Sequence, residues 1–243
     1  IALMLMALWT ITFYNPILTK AQSGRLKIGA ATKIITPELD SWVQGAGVPK
    51  KAASVRDELE ANGLYFSKGD FQLLMVSCDF AGIEPDLNVR LREAMGAATG
   101  ILPRDILISS THTHGGPSLL KTNYLMPLDT AYMKDLLAKE AVAAAQPGKI
   151  GWAEGDVQIG YNRRLTWADG SHSIHGDASR KDFAGLEGPD DPQHLAMFAA
   201  DLKGNLLSIL YHNTTHPTIF YADGVFSADF PGEVRKTFRK EFK

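Results

Sequence analysis

The stretch from Phe71 to Ser110 constrains the fold more than any other part of this chain. It opens with the apolar run "FQLLMVSCDFAGI", with Asp79 near its end, and closes with "ILISS", residues 106–110. Between the two, Leu87, Leu91 and Met95 recur every fourth residue in "PDLNVRLREAMGAATG". That spacing sets three apolar side chains on one face of a helix, which Pro85 starts and Gly100 stops. A strand, a helix and a strand in this order predict two parallel neighbours in one sheet.

The residues at the end of the second strand raise the question of chemistry. "ILISSTHTHGGPS", residues 106–118, puts His112 and His114 one residue apart where the apolar run ends, and Gly115-Gly116-Pro117 comes directly after. Residues i and i+2 of a strand face the same side, so the two imidazoles are expected to point together. The glycines end the strand and let backbone pass close to whatever the rings hold. His216, in "NTTHPTIF", lies just beyond another apolar run, with Pro217 fixing the backbone after it. A zinc site needs several donors converging from different elements, and these three histidines form such a set. Hydrogen-bonded core histidines are the competing reading of the same residues.

The rest of the chain supplies further elements. "RLKIGAATKIITPELD" reads as an opening strand ended by Pro37, and a glycine-bearing loop is expected from Trp42 to Pro49. An alanine-rich helix is expected from about Asp129 to Gln146, stopped by Pro147-Gly148. "KIGWAEGDVQIGYNRR" reads as two short strands, and the polar stretch from Trp167 to Pro192 as a long surface loop. "HLAMFAADLKGNLLSILYHN" predicts a hairpin about Lys203-Gly204-Asn205. A last helix begins near Pro231 with Val234 and Phe238 on one face, and the chain stops there, which suggests a longer domain. The fold class expected is α/β: a mixed sheet core with flanking helices and a metal site at strand ends.

Totals narrow the partners. The 243 residues carry 45% hydrophobic and 21% charged side chains with a net charge of −2. No basic excess is present to displace counterions from nucleic acid, and charge gives no attraction to a membrane. The exception in composition is the start, apolar from Ile1 to Phe13 and broken at Asn15-Pro16. It is shorter than the roughly 20 residues of a membrane span, and Thr19 and Ala21 suit signal cleavage. A signal peptide over 1–21 and a secreted or periplasmic location are expected; a retained membrane anchor is the alternative. Cys78, the only cysteine, excludes an intrachain disulfide.

Other polar residues compete for roles. Arg163 or Arg164, in "GYNRR", could orient a substrate oxygen or stabilise developing negative charge. Asp79 and Asp229 both end apolar stretches, where a carboxylate can orient a ligating histidine or start a helix. His172, His175 and His194 lie in or beside the polar loop and read as solvated, while His212 faces the other way from its neighbours. The chain has no glycine-rich phosphate loop, G-x-S-x-G elbow, HExxH or CxxC, so a serine triad has no signature here.

Several stretches together resemble the neutral (alkaline, non-lysosomal) ceramidase family. "GAATKIITP" resembles its opening GAAKxDITP pattern, "MVSCDFAGI" its VSxD strand and "ILISSTHTHGGP" its THTHSGP signature. "PGKIGWAEGDVQIGYNRR" resembles the region of its NRSP arginine, "THPT" its HP histidine and "FSADFPG" its SDxxGYA segment. The six stretches run in order, and the resemblance covers essentially everything from Leu26 to Gly232.

The resemblance implies a secreted zinc amidohydrolase that cleaves the N-acyl amide of ceramide to a sphingoid base and a fatty acid. It implies zinc ligands at His112 and His216 and substrate-site roles for His114 and Arg163. The family's other two ligands, a glutamate and a tyrosine, and its immunoglobulin-like domain lie further downstream. Residues 25–243 therefore correspond to the N-terminal portion of the catalytic domain, expected to bind zinc weakly and to turn nothing over alone. The chain departs from the family at Gly115 and Arg164, each in place of a serine, and "HPTIFY" lacks the usual polar residues. A related zinc hydrolase on a non-sphingolipid amide or ester, or a non-catalytic relative that binds lipid or glycan, is the alternative.

Overall fold

The computed structural model describes residues 24–44, 50–117, 137–220 and 223–242. The segment read as a signal peptide and the first part of the helix expected from Asp129 lie outside the described residues.

In chain order the strands are β1 (Lys27–Ile34), β2 (Trp42–Val43), β3 (Lys50–Lys51), β4 (Ser54–Val55), β5 (Glu60–Lys68) and β6 (Phe71–Cys78). Helix α1 (Pro85–Thr99) leads to β7 (Ile106–Ser110), and α2 (Ala138–Ala143) to β8 (Gln146–Asp156). Then come β9 (Leu165–Trp167), β10 (His172–Ser173), β11 (Phe183–Leu186), β12 (Gln193–Asp201), β13 (Leu206–His212), β14 (Val225–Phe226) and α3 (Asp229–Glu241). The expected mixed sheet is present, with seven strands in the order β13-β12-β8-β1-β5-β6-β7.

The strand-helix-strand unit over Phe71 to Ser110 forms as expected. β6 and β7 are parallel, with Leu74 opposite Ile106 and Val76 opposite Ile108. Leu91 and Met95 of α1 pack with those four residues in the larger core. The strand β5, antiparallel to both β1 and β6, was not expected. It is buried on both faces, so its sequence lacks the alternation that marks a half-exposed strand. On the same side as α1, α2 lies so close to β1 that a side chain at Gly29 would collide with the Ala141 carbonyl oxygen.

β8 turns the sheet on itself. It pairs with β1 only at Gln146 and Pro147, then runs beside β12 for nine residues. The β8-β12-β13 layer therefore folds back over the first, and Met197 and Ala199 pack on Ile28, Leu64 and Phe66. This fold-back brings the loop after β13 toward the loop after β7, although the two strands are the opposite edges of the sheet.

Three expectations need correction. The stretch read as two short strands is one long strand, β8, followed by irregular chain; Gly151 and Gly155 sit in open space within it and do not break it. The alanine-rich helix ends at Ala143, and Gln146 and Pro147 already belong to β8. The supposed loop from Trp167 to Pro192 contains the small sheet β10-β9-β11. Its strands are two to four residues long, too short to show a period. The hairpin of β12 and β13 forms as expected, and α3 begins two residues before Pro231. Cys78 is fully buried, and that burial, with Asp79 beside it, pushes its thiol pKa up.

Candidate metal centre

The histidine pair converges, but not through strand alternation. β7 ends at Ser110. Thr111 then anchors the turn, its amide donating to the Cys78 carbonyl at 2.9 Å and its hydroxyl to Asp79 Oδ1 at 3.1 Å. His112 takes a left-handed backbone, φ 65°, a conformation uncommon outside glycine. Thr113 is buried, with its hydroxyl on the Ser227 carbonyl at 2.8 Å. The two rings end nearly perpendicular, at 88°, with centroids 5.0 Å apart.

His216 completes the group from the loop after β13. Its ring centroid lies 4.9 Å from each of the other two. Its Nε2 is 3.0 Å from the Nε2 of His114, and the His114 amide donates to the Pro217 carbonyl at 3.4 Å. One nitrogen of each of the three rings lies within 4.8 Å of the others. Tetrahedral zinc with bonds of about 2.0–2.1 Å spaces its donors roughly 3.3 Å apart, so small ring rotations suffice. His112 Nδ1 is held by the Ala81 carbonyl. A ligating imidazole is oriented in this way, with its outer nitrogen on a carbonyl and the inner one turned to the metal. The donor set and its support therefore fit a small divalent cation.

Arg163 stands over this group, Nη1 donating to His216 Nδ1 at 3.1 Å. A guanidinium only donates, so this nitrogen of His216 accepts. Burial, followed by the charges of His114, Arg163 and His112, pushes the pKa of His216 down to about 4. The ring is neutral at pH 7, as a metal ligand must be. Of the two arginines, Arg164 is turned away onto Glu187, at 3.0 Å.

The two aspartates brace loops. Asp79, fully buried, accepts from the Glu60 amide at 2.8 Å, from Thr111 and from Arg235 of α3. Asp229, also buried, accepts from the Phe220 amide at 2.9 Å and the Phe230 amide at 2.6 Å. Asp57, Glu60, Ser227 and Arg235 belong to the same bracing and were not singled out from sequence. The charged stretches that carry Asp57, Glu60 and Arg235, "RDELE" and "EVRKTFRKE", hold no local sign that these side chains turn inward.

An apolar cavity of about 780 Å³ opens beside the histidines. Ile159, Tyr161, Ile219, Phe230 and Phe238 are among its walls, and His216 and Arg163 stand in it. His194, expected to be solvated, is half-buried in this wall, its ring 5.6 Å from that of Tyr211. His172, His175 and His212 are exposed. No helix among the described residues is long and apolar enough to cross a membrane.

No protein-family model and no curated protein matches the sequence. Solved structures do match. Neutral ceramidase from Pseudomonas aeruginosa superimposes with a TM-score of 0.70 at 17% identity, over 91% of this chain and 37% of that one. A ceramidase complexed with C2 gives 0.64 at 16% identity, over 91% of this chain and 36% of that one. The chain thus spans little more than a third of the length of these ceramidases. Over nine-tenths of its own length, it has the fold of the neutral ceramidases.

Proposed function

We propose that this chain is the N-terminal portion of a zinc-dependent hydrolase of the neutral ceramidase type, acting on the N-acyl amide of a lipid. One observation carries the reading: His112, His114 and His216 meet beside Arg163, and His216 and Arg163 line an apolar cavity. His112 and His216 hold the metal, with His114 and Arg163 serving the substrate. Bound zinc supplies an acidified water and a polarised carbonyl. For His216 to ligate through Nε2, its proton must sit on Nδ1, so Arg163 gives up that nitrogen. The freed guanidinium is then available to the amide oxygen, where it stabilises developing negative charge. His114, beside both, takes a proton from the attacking oxygen and returns it to the leaving nitrogen. The cavity holds alkyl chain. Export through the 1–21 segment belongs to the same reading.

The test is fatty-acid release from an N-acyl sphingoid, an N-acyl amino acid and an acyl ester, by the zinc-loaded 243-residue chain and by longer natural chains that contain it. The sphingoid amide should be cleaved wherever the ligand set is complete, and chelation should stop it. Arg163→Ala should lower kcat by about 100-fold, the scale of one lost oxyanion donor, with zinc retained. Cleavage of the ester alone would move the substrate to the alternative class. No cleavage by any form, with lipid still bound, would favour the binding relative.

A further inference from the structure

Three segments meet at Gly115. A side chain there would stand 2.7 Å from the Ser227 carbonyl oxygen, 3.0 Å from that of Phe220 and 3.1 Å from Ser227 Cβ. Position 115, where the resembling family has serine, therefore has no room for one. The space is taken by the turn from Ser227 to Asp229 that starts α3. Ser227 grips the segment carrying His112 and His114: its amide donates to the Gly115 carbonyl at 2.9 Å, and its own carbonyl accepts from Thr113. Asp229 grips the segment carrying His216 through the Phe220 amide. Asp57 fixes the turn from below, accepting from the Ser227 hydroxyl at 2.8 Å and from the Ala228 amide.

The backbone at Asp229 is left-handed, φ 55°. Such a conformation in a buried non-glycine residue persists only where the surroundings over-determine it, and it concentrates at functional sites. Here it lets one carboxylate reach both the Phe220 and the Phe230 amides.

We propose that the 227–229 turn is a clasp that sets the spacing of the three imidazoles, with Asp229 the positioning residue on the His216 side and Ser227 on the other. The strands deliver the two histidine loops to the same place; the clasp fixes their separation. The purpose of that spacing rests on the reading of the three histidines as a metal centre. A turn that only closed the core would be equally buried, but its loss would not move the rings.

The experiment compares imidazole NMR signals in the metal-free protein and Co²⁺ affinity for the wild type, Asp229→Gly and Asp229→Asn. Glycine accepts the positive φ and removes the carboxylate, which separates backbone strain from the bond to Phe220. Asp229→Gly should shift the His216 ring signals and weaken Co²⁺ binding at least tenfold, and Asp229→Asn should recover part of both. Ring signals identical to wild type in Asp229→Gly would overturn the clasp. Should that variant not fold, Gly115→Ala decides: it removes no hydrogen-bonding group yet must push Ser227 away. Shifted His112 and His114 rings would then support the clasp, and unshifted ones would end it. A wild-type chain that bound no Co²⁺ would count against the metal reading, while the metal-free ring signals would still decide the clasp.

Discussion

Alanine at His216 is expected to weaken zinc or Co²⁺ binding by more than about 100-fold, because loss of a ligand should exceed the 10–100-fold typical of losing an outer-shell partner. His112→Ala should do the same. His112 is exposed and His216 half-buried at the end of a loop, so neither truncation empties the core, and the metal-free fold should melt as the wild type does. Arg163→Ala makes the contrast, since the guanidinium beside His216 is a positive charge that only donates and cannot itself ligate. Its removal should leave affinity unchanged or raise it. Competition against a chromophoric chelator measures all three. Retention of wild-type affinity by both histidine variants would remove them from the ligand set.

Arg235→Met should destabilise the fold by about 3–5 kcal/mol, the range for stripping one partner from a buried ion pair. Arg235 reaches Asp79, which is fully buried, through both Nη1 at 3.1 Å and Nη2 at 2.5 Å. It also lies 3.1 Å from Glu60 Oε2. Burial pushes the Asp79 carboxyl up from its ordinary value, so Arg235 is the partner it cannot lose. Burial pushes Glu60 up too, but there Arg239 and Arg235 outweigh it and hold the carboxyl below its usual range. The loss is a large part of the roughly 5–15 kcal/mol that holds a domain together. Because Asp79 also holds Thr111, the same variant should loosen His112. Urea unfolding gives the free energy, and a cycle with Asp79→Asn should show strong non-additivity. A cost below about 1 kcal/mol would mean the pair behaves as a surface bridge.

The sequence carried those parts of the fold whose physics is local. β6, α1 and β7 announce themselves by period, proline and glycine, and the β12-β13 hairpin by its Lys203-Gly204-Asn205 turn. β5 escaped because a strand buried on both faces does not alternate. β8 reads as two short strands because the nine-residue ladder to β12 that keeps it one is a contact between distant segments. The meeting of the histidines was legible in outcome and not in cause. His112 and His114 converge through a left-handed residue beyond the strand end, and no period predicts a positive φ. The family resemblance alone favours Arg163 over Arg164; the contact that turns Arg164 away, to Glu187, is distant in sequence. The bracing by Asp57, Glu60 and Arg235 was invisible for a related reason. A buried ion pair is made by two stretches that each look solvated, and only the fold brings them together.

X-ray absorption of the zinc-loaded protein counts the imidazoles directly. Two imidazole nitrogen donors at about 2.0–2.1 Å, falling to one in His216→Ala, are predicted. A shell of oxygen alone, or one unchanged by that substitution, would contradict a metal held by His112 and His216.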